Sequence, residues 1–294
     1  MATLRLASNR ICPMSRGRAT ADKQAIRHEM LLSQLNVYPI KSARGASLET
    51  SDVDERGLRL DRRWMLVDER GCFISQRRFP RMALIEVRID ADHLVVDAPG
   101  MPSLQVPFRP PEGELRLAGV WDDLVEVLPI GEDADRWFGG FLGTRCTLVY
   151  LPDESVRQVD PGYSERGDQV GLADAFPFLL ISEASLAELN ARLERPVPMD
   201  RFRPNLVVRG CKPFAEDGWG LVRMASITFR VVKPCSRCTI TTVNQQTGVT
   251  GKEPLRTLAG FRKVGTKVLF GQNLIHDNSG TLRTGDPVEV IQAR

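Results

Sequence analysis

Short segments of alternating or β-branched character follow one another along most of this chain, and that succession limits its folds more than any other feature. Strands are predicted at Leu31–Val37, Arg63–Asp68, Leu84–Ile89, His93–Val96, Leu124–Leu128, Cys146–Tyr150, Leu206–Val208, Ile227–Val232, Thr239–Val243 and Pro287–Ile291. Turn sequences separate them, as in Asp68-Glu69-Arg70-Gly71, Asn244-Gln245-Gln246-Thr247-Gly248 and Thr284-Gly285-Asp286. Helical patterns are few. Ser185 and Glu188 have the spacing of a capping box, with Leu186, Leu189 and Leu193 on one face and Pro196 as the stop. Asp133–Phe141 is the second, with Asp133 as its cap, Trp137 and Phe141 sharing a face, and Gly139, Gly140 and Gly143 limiting its length. Strands in consecutive runs build antiparallel or mixed sheets and barrels, whereas a doubly wound sheet needs strands alternating with helices. The expected fold is therefore mixed α+β, mainly β, in two barrel-like domains with a few short helices.

The chain's 294 residues suit two modest domains. Residues 151–171, rich in Pro, Asp, Gly and Ser, read as the linker or long loop between them. The expected units are an extension at 1–29, a first barrel at 30–150 and a second domain at 151–294. Within 1–29, six basic residues face two acids and no apolar core suits a secretory signal; the composition is weakly transit-like, but the segment reads first as a disordered extension or an over-called start. The net charge of +3, from 40 basic and 37 acidic residues, gives no electrostatic case for nucleic acid. No apolar run approaches the roughly 18 residues that span a bilayer, so no membrane role is expected. The cysteines at 12, 72, 146, 211, 235 and 238 are irregularly spaced, which fits a reducing cytoplasm better than a disulfide framework.

Cys235-x-x-Cys238 is the sharpest local signal, set between two segments that favour strand. A thioredoxin-like pair needs a helix after its second cysteine, and Thr239, Thr241 and Thr242 oppose one. Structural zinc needs two more Cys or His ligands, usually as a second close pair, and His28, His93, His276 and Cys211 form none. One thiolate on one soft metal, the remaining ligands coming from a cofactor, fits the count. Two structural cysteines buried in a strand fit it too. Basic residues beside turn-forming or hydroxyl residues recur at Lys41-Ser42, Arg62-Arg63, Gln76-Arg77-Arg78 and Arg201-Phe202-Arg203-Pro204-Asn205. Arginine forks and lysine point charges suit phosphate, and an asparagine amide suits a heterocycle edge, although each is also an ordinary solvated surface residue. Asp174, a lone acid in Leu172-Ala173-Asp174-Ala175-Phe176-Pro177, is either a turn carboxylate or a pocket acid.

Several extended motifs then occur in one order: Tyr38-Pro39-Ile40-Lys41-Ser42, Asp61-Arg62-Arg63-Trp64-Met65-Leu66-Val67, Ser182-Glu183-Ala184-Ser185-Leu186, Phe202-Arg203-Pro204-Asn205, Ala215-Glu216-Asp217, Cys235-Ser236-Arg237-Cys238-Thr239-Ile240-Thr241-Thr242-Val243 and Phe270-Gly271-Gln272. Over about residues 31–293 the chain resembles the MOSC superfamily, specifically the mitochondrial amidoxime-reducing components and their bacterial relatives. The resemblance implies an N-terminal β-barrel domain followed by a MOSC domain that binds a molybdenum–molybdopterin cofactor. It implies Cys238 as the metal ligand, Lys41, Ser42 and Arg63 on the cofactor phosphate, Arg203, Asn205, Ser236 and Arg237 along the pterin, and Asp174 as an acid close to the metal. The implied activity is reduction of N-hydroxylated small molecules, with electrons from a separate protein: a flavoprotein reductase, a ferredoxin-like protein or a cytochrome b5-like one. No clustered four-cysteine signature for an iron–sulfur centre is present. Two other functions stay open: sulfur transfer through a Cys238 persulfide, and a non-catalytic cofactor carrier.

Overall fold

A computed structural model describes residues 29–110 and 113–294; the expected extension at 1–29 lies, apart from Glu29, outside them. Among the described residues the fold is mainly β, with three short α-helices among many strands. The largest sheet runs in the order Val288–Ala293, Trp219–Met224, Ile227–Ser236, Lys267–His276, Phe178–Ser182, Leu206–Arg209, Leu31–Val37 and Ala46–Leu48. Neighbours are antiparallel except Phe178–Ser182 and Leu206–Arg209, which run parallel. The sheet curls back on itself. A bridge between Leu31 and Pro287, with Leu32 N–H donating to Asp286 O at 2.9 Å and Val288 N–H to Met30 O at 2.8 Å, joins its last strand to its first. The curl leaves an inner face carrying Leu32, Leu35, Phe178, Phe229 and Leu274, all essentially inaccessible to water. Burying each such side chain fully stabilises the fold by roughly 1.5–3 kcal/mol before entropy is counted.

Two more sheets belong to the first part of the chain: Trp64–Val67, Thr147–Tyr150, Asp123–Pro129 and Arg116–Val120 in one, and Glu86–Ile89, His93–Asp97 and Leu104–Pro107 in the other. The helix α1, Glu132–Leu142, presses Trp137, Phe138 and Phe141 onto Trp64 and Met82 between them. The division expected at residue 151 is one of sequence; in space Leu31–Val37 pairs with Leu206–Arg209, and Thr50–Asp54 with Gly280–Arg283. Residues 31–58 thus run through the second unit before the chain enters the first, and this threading puts Lys41 and Ser42 beside Cys238.

Three local expectations are corrected. Thr239–Thr242 is a 3-10 turn, not a strand, because the Thr241 hydroxyl donates to Cys238 O at 2.9 Å and the Thr242 hydroxyl to Thr239 O at 2.7 Å. Those bonds override the extended preference of β-branched residues. The helix α2 spans Glu183–Asn190 and is capped by Ser182, whose hydroxyl accepts the Ser185 N–H at 3.0 Å. Ser185 lies inside the helix, and its hydroxyl accepts the Phe214 N–H at 2.7 Å and donates to Glu216 at 2.6 Å. At α1 the cap is Gly131; Asp133 instead pairs with Arg136 one turn on. A third helix, α3 at Leu255–Phe261, escaped prediction because it is only two turns long and carries Thr257 and Gly260.

Candidate active site between the two units

Ile227–Ser236 is a long strand whose register against Lys267–His276 slips twice, between Val231 and Lys233 and between Pro234 and Ser236. Such bulges re-aim side chains and end pairing. The Arg237 N–H still reaches Val268 O at 2.7 Å, and at Cys238 the chain leaves the sheet, extended, to start the 3-10 turn. The half-buried Cys238 lines a cavity of about 150 Å³, together with Lys41, Ser42, Asp174, Arg203, Asn205, Ser236 and Arg237. Of the residues that the resemblance assigned to the site, all but Arg63 therefore meet at one place.

Arg63 points elsewhere. Its buried guanidinium donates to Leu151 O at 2.6 and 3.2 Å, to the Tyr150 hydroxyl at 3.0 Å and to Asp153 at 2.6 Å, which ties Leu151 and Asp153, where the linker begins, to the first unit. Its neighbour Arg62 lines the cavity instead. Arg62 has a left-handed φ of 47°, as do Ser42 at 67° and Arg203 at 56°. For side-chain-bearing residues this conformation costs on the order of 1 kcal/mol or more each, and such residues gather where geometry matters more than stability.

Tyr38 holds both arginines. Their guanidinium carbons lie 4.2 Å (Arg62) and 4.3 Å (Arg203) from its ring centroid, while its hydroxyl donates to Pro204 O at 3.1 Å. Arg62 also donates to Asp61 at 2.6 Å and to Asn205 Oδ1 at 3.1 Å, and Arg203 donates to Ala43 O at 2.6 Å. Asn205 spends its amide within the protein, accepting from Leu179 N–H at 3.3 Å and donating to Asn36 O at 3.2 Å. Burial pushes the Tyr38 phenol up to about 12 despite both cations. Burial, with Arg62 adding repulsion, brings Arg203 down to about 10.

A second cluster stands at the other side of Cys238. Lys41 Nζ donates to Asp174 Oδ1 at 2.6 Å and to Leu172 O at 2.8 Å. Arg77 reaches Asp174 Oδ2 at 3.2 Å and Cys238 Sγ at 3.4 Å with the same nitrogen. Burial lowers Lys41 to about 8, opposed by Asp174. Asp174 is pushed up by desolvation, yet Lys41 and then Arg77 outweigh this and hold its carboxyl well below the usual carboxylate range. Arg157 donates to the carbonyls of Gly171 and Ala173 at 2.9 and 2.6 Å and so fixes the segment that carries Asp174. Arg237 donates to Cys235 Sγ at 3.0 Å and to Phe202 O at 2.6 Å, while its buried Nε has no partner among the described residues. Sequence reasoning noted Arg62 and Arg77 only as members of basic pairs, and Arg157 not at all; nothing local marks an arginine whose work is to bind backbone carbonyls.

Comparison with known proteins agrees with this architecture. Residues 29–145 match the MOSC N-terminal beta barrel domain and residues 167–289 the MOSC domain. Mitochondrial amidoxime-reducing component 1 of Mus musculus is 37% identical over 279 residues, covering 88% of this chain and 82% of that protein. The protein of the same name from Homo sapiens is 34% identical over 278 residues, covering 88% and 82%. Mitochondrial amidoxime reducing component 2 of Rattus norvegicus is 35% identical over 280 residues, covering 87% and 82%. With both domains matched in order and identity sustained across most of each chain, this protein belongs to the MOSC-domain family of the amidoxime-reducing components.

Proposed function

We propose that the cavity binds a molybdenum–molybdopterin cofactor and that the protein reduces N-hydroxylated compounds with electrons from a separate donor protein. The observation that carries this reading is a half-buried thiol, Cys238, on a cavity where Lys41, Arg62, Arg203 and Arg237 outnumber the single lining acid, Asp174. The residues fit such a group: a thiolate is a soft ligand suited to a transition metal, an excess of cations suits a phosphate, and the partnerless Arg237 Nε is a donor awaiting an acceptor. In this reading Cys238 is the protein ligand, Lys41, Ser42, Arg62 and Arg203 hold the phosphate, and Asn205, Ser236 and Arg237 lie along the pterin. When bound, the group supplies two-electron redox chemistry.

The overall reaction takes an N–OH compound, two electrons and two protons to the N–H compound and water. Asp174, kept ionised by Lys41 and Arg77, is an acceptor for the hydroxyl or amino hydrogens of such a substrate. Arg77 bridges Asp174 and Cys238 and so fixes the distance between the substrate-facing carboxylate and the thiol. The five described cysteines are all free, which is the basis for proposing a cytoplasmic location; the relatives' names place them in mitochondria, and fractionation decides between the two.

The test is elemental analysis of the purified protein beside reduction of benzamidoxime by an artificial electron donor. We expect close to one molybdenum per chain and turnover that disappears in Cys238→Ala while the fold persists. Metal-free protein carrying labile sulfur would instead establish sulfur transfer, and bound cofactor without turnover would establish a carrier.

A further inference from the structure

Arg201 stands two residues before Arg203 in the same basic motif, yet it has no part in lining the cofactor cavity. It is 7% exposed. Its Nε donates to Thr241 O at 2.8 Å and its Nη2 to Glu253 O at 3.0 Å, which ties the turn after Cys238 to the segment before α3. Neither acceptor carries a charge. Arg201 forms no ion pair among the described residues, and Asp200 attracts it only from beyond ion-pair distance. Burying a cation without a counter-ion is costly, so its presence calls for an anion from elsewhere. The third nitrogen, Nη1, has no partner among the described residues and is not sealed from water. Arg201 lines an open cleft of about 930 Å³.

That cleft lies between the end of α2, the hairpin around Asn244–Thr250 and the start of α3. Arg192, Arg195, Arg201, Lys252 and Arg256 line it against two acids, Glu194 and Glu253. Two of the cations are already spent, Arg192 on Glu188 at 2.5 Å and Arg256 on Glu253 at 2.6 Å. The second oxygen of Glu253 accepts the Thr257 N–H at 3.0 Å, so that acid is spent as well. Arg195 and Lys252 are exposed and have no hydrogen-bond or ion-pair partner among the described residues. Three cations are thus available, one buried at the floor and two at the rim, with Glu194 opposing them. Val249, 64% exposed, and the exposed Pro196 add apolar surface.

We propose that this cleft binds an elongated small anion of the polyphosphate class, a nucleoside di- or triphosphate being within its size. One phosphate meets the Arg201 fork at the floor, and the others meet Arg195 and Lys252 through charge-assisted hydrogen bonds. The flat face of an acidic protein would engage the rim without reaching a buried guanidinium, so the floor favours a small molecule. Through Arg201 the bound anion is joined to Thr241 O, and so to the turn that follows Cys238, without entering the cofactor cavity.

Calorimetric titration of the cofactor-loaded protein with sodium tripolyphosphate, ATP and inorganic phosphate tests this. We expect saturable binding of the first two, weakening as salt rises, and far weaker binding of inorganic phosphate. Arg195→Ala with Lys252→Ala should weaken tripolyphosphate roughly tenfold or more. Arg201→Gln keeps a donor for Thr241 O but removes the charge and should weaken it as much; if that variant fails to fold, the rim pair decides. Arg116→Ala with Arg145→Ala removes the same net charge from the first unit and should change nothing. ATP binding more tightly than tripolyphosphate identifies a nucleotide as the occupant, and equal affinity identifies the polyphosphate chain alone; either supports the site. Tripolyphosphate affinity equal in the wild type and the rim pair, or falling as much in the Arg116 and Arg145 control, overturns it. So does binding that survives the rim pair but is lost in Arg203→Met, which would place the anion in the cofactor cavity.

Discussion

Arg63→Ala separates what family resemblance suggests from what the geometry requires. Resemblance puts Arg63 on the cofactor phosphate, whereas its guanidinium is buried and donates to Leu151 O, the Tyr150 hydroxyl and Asp153, outside the cavity. The ion pair contributes little, because Asp153 is 75% exposed and such pairs yield about 0–1 kcal/mol. The larger loss is at Leu151, a fully buried residue whose carbonyl would lose both guanidinium donors, which costs roughly 1–3 kcal/mol. Together these predict destabilisation of about 2–3 kcal/mol, a fall in Tm of roughly 3–5 °C for a chain of 294 residues. Thermal unfolding followed by circular dichroism measures that fall, and elemental analysis of the folded fraction measures molybdenum. We expect a lower Tm with metal content per folded chain unchanged, and the opposite pattern for Arg203→Met, which lines the cavity. Arg63→Ala protein that melts like the wild type but comes out depleted in cofactor would refute the structural reading and restore the phosphate role.

Gly271 has a φ of 81°, and a Cβ there would lie 2.6 Å from Ile181 Cγ1 and 2.9 Å from Leu180 O, so Gly271→Ala should lower the urea unfolding free energy by about 2–4 kcal/mol; a loss below half of that would show that the sheet yields easily. Ser182→Ala removes the α2 cap and should cost about 1 kcal/mol in the same measurement, an unchanged midpoint counting against the cap. Because burial lowers Lys41 to about 8, its ammonium is present below that pH and lost above it, so anion retention in the cavity should weaken as pH rises through about 8. In Lys41→Arg, which stays charged there, that step should vanish; the same profile in both proteins would exclude Lys41 as its source.

Where a local pattern coincides with the force that decides the outcome, this sequence is readable. Leu31–Val37 was legible to the residue, since a short run with leucines at 31, 32 and 35 and Val37 at its end agrees with pairing on both sides. The Thr239–Val243 segment was not, because the same threonines that favour strand carry hydroxyls able to close a turn, and only the placement of Cys238 O decides between them. The site shows the same division. Cys238 and Asp174 stood out as residue types in unusual local settings, but nothing within a few positions of Arg63 distinguishes it from Arg62. Which of the two lines the cavity depends on Arg62 taking a left-handed backbone and donating its N–H to Tyr38 O at 2.9 Å, which sets its side chain against the Tyr38 ring and leaves Arg63 to the neighbouring sheet. One arginine of the pair serves the cavity and the other the scaffold, and the partner that separates them, Tyr38, lies over twenty residues away in sequence.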